Sequence, residues 1–128
     1  MKGSMKGSMK DDSRLEKLKS KLNSINFDEK FVDMILERKK KSTIRKGIKL
    51  YKKGKKVELT AGGKSFGMGR IVKVVVKRVS ELNNSDAVED GFSSKEELLK
   101  ELERIYGNIE ENEFVTIIHF EFLDNIGG

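Results

Sequence analysis

The chain has 128 residues, enough for one domain with its own core and too few for two domains with linkers. It has no cysteine and one histidine, His119. That excludes disulfides, thiol catalysis, Cys-ligated zinc and His-rich metal sites. The net charge of +6 hides an asymmetry: residues 38–78 carry sixteen Lys/Arg against Glu58 alone, and residues 79–128 carry three against thirteen acids. A +15 block points to a polyanion partner or to two halves that neutralise each other on folding.

Residues 1–12 hold a four-residue repeat, Met1-Lys-Gly-Ser-Met5, without apolar periodicity, and read as a disordered leader or tag. A single domain is expected over 13–126. Its first helix is expected over Ser13–Ile25, from the capping-box pair Ser13 and Glu16 and the spacing of Leu15, Leu18, Leu22 and Ile25. A second helix is predicted from the N-cap Asp28, with Phe27 and Val32 at staple positions, and is read as ending in the basic run Arg38–Lys41. Ser42–Arg45 reads as extended and Lys46–Gly54 as a basic loop.

Lys56–Thr60 is a predicted strand ending at Ala61-Gly62-Gly63. Gly62 to Gly69 contains four glycines and is expected to turn. Arg70–Val79 is apolar enough for a central strand. Ser80–Phe92 reads as irregular and acidic, with a turn or helix start at Asn83–Asp86. Ser94 caps a third helix, buried through Leu98, Leu99, Leu102 and Ile105 and ended by Tyr106-Gly107. Glu113–Leu123 is a strand, with Phe114, Ile118, Phe120 and Phe122 on one face and Val115, Ile117 and His119 on the other.

No βαβ alternation appears, so a doubly wound parallel sheet is not expected. The order fits an α+β domain, a small, mainly antiparallel, barrel-like sheet with flanking helices. No apolar run is long enough to cross a membrane and no secretory h-region follows the first lysines, so a cytoplasmic protein is expected.

Gly63-Lys64-Ser65 is not a P-loop, because Glu58 stands where that motif needs glycine. Gly67-Met68-Gly69 reads as a tight turn or bulge, and His119 as a partly buried structural side chain. The basic block supplies the candidate nucleic-acid contacts: Arg38, Lys39, Lys40, Lys41, Arg45, Lys49, Lys52, Lys53, Lys55, Lys64 and Arg70 for phosphate, with Tyr51 for stacking.

The run Phe31 to Arg45, with its Lys40-x-x-Thr43-x-Arg45 core, resembles the opening motif of the ASCH domain, a PUA-like family. The resemblance continues through Tyr51-x-x-Gly54-x-x-Val57-x-Leu59, Gly69-Arg70-Ile71, Asp86-Ala87-x-x-Asp90-Gly91-Phe92-x-Ser94, Tyr106-Gly107 and the last strand, covering 27–123 in order. It implies a PUA-like β-barrel with a cleft and an RNA-related function. Some bacterial members similar in pattern are N4-acetylcytidine amidohydrolases, in which a Lys, a Thr and a Glu act together. The resemblance places these on Lys40, Thr43 and Asp90, with Glu89 as the alternate carboxylate. Three departures stand out: Arg38 replaces the motif's glycine, Lys41 its first threonine, and Asp90 a longer glutamate.

The expected function is therefore an RNA- or nucleotide-binding module acting as a monomer without metal or cofactor. The alternatives are a metal-independent amidohydrolase of acylated nucleosides, or a protein-interaction module using the acidic half. In the simplest reading of the cleft, Lys40 and Arg45 are exposed charges that contact phosphate.

Overall fold

Five strands pair in the order β1-β3-β4-β5-β2 in the computed structural model of the chain, which describes residues 23–123. They are β1 (Ser24–Phe27), β2 (Ser42–Lys46), β3 (Lys56–Ala61), β4 (Lys64–Arg78) and β5 (Phe114–Leu123). Helices α1 (Val32–Leu36), α2 (Asn84–Glu89) and α3 (Lys95–Tyr106) flank them, and 3₁₀ turns precede α1 and α2. Three of the pairings are antiparallel, and β1 runs parallel to β3. The sheet curls into a half-barrel, so the α+β, PUA-like architecture stands.

The strand sequences explain which sides are covered. In β3, Val57, Leu59 and Ala61 are buried while Lys56 and Glu58 are exposed, the alternation of a sheet with one face on a core. β5 is covered on both faces. Ile118 and Phe120 join one core with Ile25, Ile35, Leu59 and Ile71. Val115 and Ile117 join a second core with Ile44, Ala87, Leu98 and Leu102, beneath α2 and α3. The two faces expected for this strand thus each have a core of their own.

Local chemistry fixes several ends. Asp28 accepts from Lys30 N, Asn83 from Asp86 N and Ser94 from Glu97 N, so three side chains satisfy N–H groups that a helix start leaves open. Gly62 and Gly63 both have positive φ and make a two-residue hairpin turn, with Ala61 paired to Lys64.

Four expectations are corrected. Ser24–Phe27 is a strand, so no helix reaches Ile25; residues 1–12, Ser13–Leu22 and the tail 124–128 lie outside the described residues. The second helix stops at Leu36, because Arg38 takes a left-handed conformation (φ 61°) and the chain reverses, Lys39 N and Lys40 N both donating to Met34 O. The glycine segment turns only at 62–63, and the irregularity at Gly67 is a bulge, since Leu59 pairs with Gly67 and Thr60 with Ser65. Gly67 and Gly69 lie inside β4, and the Phe122 ring lies so close that a Cβ on Gly67 would be 2.6 Å from it. Ile105 is half exposed rather than core.

Candidate active site and basic surface

The reversal after α1 decides where the basic run points. Lys40 is 4 % exposed although it lies among Arg38, Lys39 and Lys41, which are exposed. Its Nζ donates to the Asp90 carbonyl oxygen at 2.8 Å and to the Asp90 carboxylate, an ion pair that is itself buried. The Phe31 and Phe92 rings lie 4.6 and 5.8 Å from this Nζ and pack edge to face on one another. The ammonium is therefore held between a carboxylate and two aromatic rings.

Asp90 arrives from the end of α2. Gly91 follows it with φ +95°, and a Cβ there would stand 2.8 Å from Met34 Cε and 3.4 Å from Lys40 Cβ. Only glycine takes that conformation and that space without strain, and the resulting turn presents both Asp90 oxygens to Lys40.

Strand β2 brings the other two residues. Thr43 is buried, and its hydroxyl oxygen accepts from Arg45 Nε at 3.0 Å. Arg45 Nη2 donates to Asn26 O at 2.7 Å, and its guanidinium lies 5.4 Å from the Phe27 ring. Asn26 and Phe27 belong to β1, the opposite edge of the sheet, so Arg45 ties the two open edges together. Lys40, Thr43, Arg45 and Asp90 all line one cavity of about 440 Å³. That is the size of a pocket for a nucleoside-sized ligand.

Burial dominates the electrostatics. It holds Lys40 below the usual lysine range, against the opposing pull of Asp90. It pushes the Asp90 carboxyl up from 3.8 to about 6, although Lys40 and Arg45 oppose the shift. Both members of the pair are thus driven toward their neutral forms. The reading of Lys40 as an exposed phosphate contact does not survive this burial.

The remaining candidates are spread elsewhere. Glu89 faces a different groove, and its carbonyl accepts from Lys41 N at 2.7 Å, so it does not join Lys40. Tyr51 is half buried against the first core and its hydroxyl donates to Ser24 O at 2.9 Å. Lys49, Lys52, Lys53, Lys55, Lys64 and Arg70 are exposed. Thr116 anchors the loop that carries Lys49: its hydroxyl donates to Gly47 O at 2.6 Å and accepts from Lys49 N at 2.9 Å. Arg38 lies 5.4 Å from the Phe122 ring, and Lys39 pairs with Glu37 at 3.4 Å.

Sequence reasoning missed the cavity's aromatic wall and its far rim. Phe31 reads as core by helical spacing, and Phe92 lies in a segment without periodicity. Glu101, Arg104 and Tyr106 line the cavity from α3. Glu101 pairs with Lys30 at 3.1 Å and with Arg104 at 2.7 Å, which makes a charged lip. Among the described residues no His/Cys/Asp/Glu group is arranged to hold a metal. No helix among them is long and apolar enough to cross a membrane.

The family model of the ASCH domain matches residues 22–124. Among solved structures, hypothetical protein PH0355 is similar with TM-score 0.61 and 23 % identity, over 77 % of this chain and 95 % of that one. The ASCH protein of Zymomonas mobilis is similar with TM-score 0.59 and 18 % identity, over 77 % of this chain and 65 % of that one. The ASCH domain from Lactobacillus crispatus JV V101 gives TM-score 0.53 and 17 % identity, over 70 % and 68 %. The chain thus spans about two thirds of the length of the Zymomonas and Lactobacillus proteins. No curated protein sequence matches it.

Proposed function

The chain belongs to the ASCH domain family, and from that premise we propose that its cleft binds a nucleoside unit, free or within RNA. The observation that carries this reading is the buried Lys40–Asp90 pair beneath Phe31 and Phe92, opening with Thr43 and Arg45 onto one cavity. The rings offer apolar and edge contacts to a base, and Arg45 offers N–H donors to its oxygens. The exposed lysines of 38–78 attract the phosphates on either side. In this reading residues 13–126 work as a single domain, a cytoplasmic monomer without metal. Titrating a labelled single-stranded RNA at two salt concentrations tests it. Binding at low salt that falls steeply with added salt is expected, and no binding at low salt ends the reading.

A second reading, amide hydrolysis of an acylated nucleoside such as N4-acetylcytidine, is favoured by the shift of both charged groups toward neutrality. Water adds at the acetyl carbon, the bond to N4 breaks, acetate leaves and N4 regains a proton. Once the Lys40 proton passes to Asp90 within the pair, the Lys40 amine takes the proton of the attacking oxygen and the Asp90 carboxyl returns one to the leaving nitrogen. The Thr43 hydroxyl, whose oxygen accepts from Arg45 Nε, donates its proton in a hydrogen bond to the developing oxyanion. Cytidine release from N4-acetylcytidine is expected, and a loss of at least about a hundredfold in Thr43→Val. No release by the unaltered protein, or an unchanged rate in Thr43→Val, refutes hydrolysis while leaving the binding test intact.

A further inference from the structure

A second groove of about 500 Å³ lies outside the cleft, and neither reading above uses it. Its floor is β5, through Ile117 and His119. One wall is β4, and the other is α2, through Asp86 and Glu89.

A bulge in β4 builds the first wall. Ile71 pairs with Phe120 and Lys73 with His119, so Val72 is an extra residue with no partner. Ile71 is buried in the first core. Unbroken alternation would put Lys73 on that same buried face. The extra residue switches the faces, so Lys73 and Lys77 line the groove while Val74 packs on the core. Bulges that redirect side chains recur beside binding sites.

Three lysines, Lys41, Lys73 and Lys77, face two carboxylates, Asp86 and Glu89, so the groove carries a small positive excess. Lys77 is paired with Asp86 at 2.8 Å. Among the described residues Lys41 and Lys73 make no ion pair, and both are exposed at the groove. Between them lies His119, which burial and Lys73 keep below the usual imidazole range against the pull of Glu89 and Asp86. Two ammonium groups and a ring that offers an N–H converge there, beside the apolar surfaces of Val75 and Ile117. That is donor chemistry for an anionic oxygen cluster with an apolar or flat body attached.

We propose that this groove binds a small organic phosphate of nucleoside monophosphate size, its phosphate on Lys41, Lys73 and His119 and its body against Val75 and Ile117. The proposal is independent of what the cleft binds.

The only histidine of the chain supplies the probe. Its imidazole proton signal is followed by NMR while adenosine monophosphate is added to the full chain at low salt. A saturable shift is expected, with the imidazole pKa raised by roughly half a unit or more by the incoming negative charge. Adenosine should give no such shift, and inorganic phosphate should bind more weakly. Lys41→Ala/Lys73→Ala should weaken the response at least tenfold, whereas Thr43→Val, which alters only the cleft, should leave it unchanged. In the ligand-free Lys73→Ala protein the imidazole pKa should rise, which shows that the residue faces the ring in solution. The proposal is overturned by the absence of a saturable shift at millimolar nucleotide, by an equal shift with adenosine, or by a response that survives loss of both lysines. Inorganic phosphate binding as tightly as the nucleotide overturns the role given to Val75 and Ile117.

Discussion

Lys40 and Lys30 both pair with a carboxylate, in opposite environments. Lys40 meets Asp90 with 3 % and 5 % of the two side chains exposed. Lys30 meets Glu101 with 47 % and 12 % of the two side chains exposed, in a lip that also holds the half-exposed Arg104. Water reaches the Lys30 and Arg104 ends of the lip, so its charges cost less to keep and contribute less stability than a buried pair would. The inner pair is buried, so each charge depends on the other. Charge in this fold is nearly neutral for stability at the rim and expensive in the cleft.

The largest expected effect tests that contrast directly. Lys40→Met or Asp90→Leu alone should cost about 3–5 kcal/mol in a urea denaturation series, because each leaves one buried charge without its partner. The double variant should recover most of that loss, ending near neutral or above the parent. Glu101→Gln at the lip should move the midpoint far less than either single change. Equal losses at the two sites would erase the distinction between them.

A smaller effect is set by pH. The folded pKa of Asp90, about 6, lies above its ordinary 3.8. The folded state therefore holds a proton that the unfolded state has lost between about pH 4 and 6. Stability measured against the Lys40→Met/Asp90→Leu variant should fall as pH rises through that window and level off above it. A rise over the same window would mean that the ion pair outweighs desolvation.

The smallest effect concerns the reversal that sends Lys40 inward. Arg38 holds φ 61°, where the ASCH motif carries glycine. Left-handed backbone costs a non-glycine residue about 1–2 kcal/mol, and the contact with the Phe122 ring returns about 0.5–1 kcal/mol. Arg38→Gly should raise stability by up to about 1 kcal/mol, read as a higher thermal midpoint, with the cleft unchanged. A lower midpoint would show that the contacts of the Arg38 side chain are the stronger term.

The sequence spelled out the parts of this molecule whose causes are local. The caps at Asp28 and Ser94, the helix start near Asn83, the strand end at Ala61-Gly62-Gly63 and the two faces of β5 each follow from a few neighbouring residues. The ASCH resemblance also named Lys40, Thr43, Arg45 and Asp90, which do share a cavity. What it hid depends on contacts distant in the chain. Ile25 continues the helical spacing of Leu15, Leu18 and Leu22, yet it also alternates with Phe27, and pairing with β3 makes it a strand residue. Gly67 read as a turn or bulge, and the bulge is present, but the Phe122 ring that needs its bare backbone lies fifty-five residues on. Phe92 lay in an aperiodic stretch, and only the fold sets it against Phe31.

Arg45 gives the cleft a mechanical side. One of its donors goes to Thr43 and another to Asn26 across the open seam of the half-barrel. A guanidinium has five N–H groups, so donors remain for a ligand. A molecule bound there joins a latch that already spans both margins of the sheet. Occupancy and closure of the barrel then report on each other, and a ligand that grips Arg45 should make the whole domain harder to unfold.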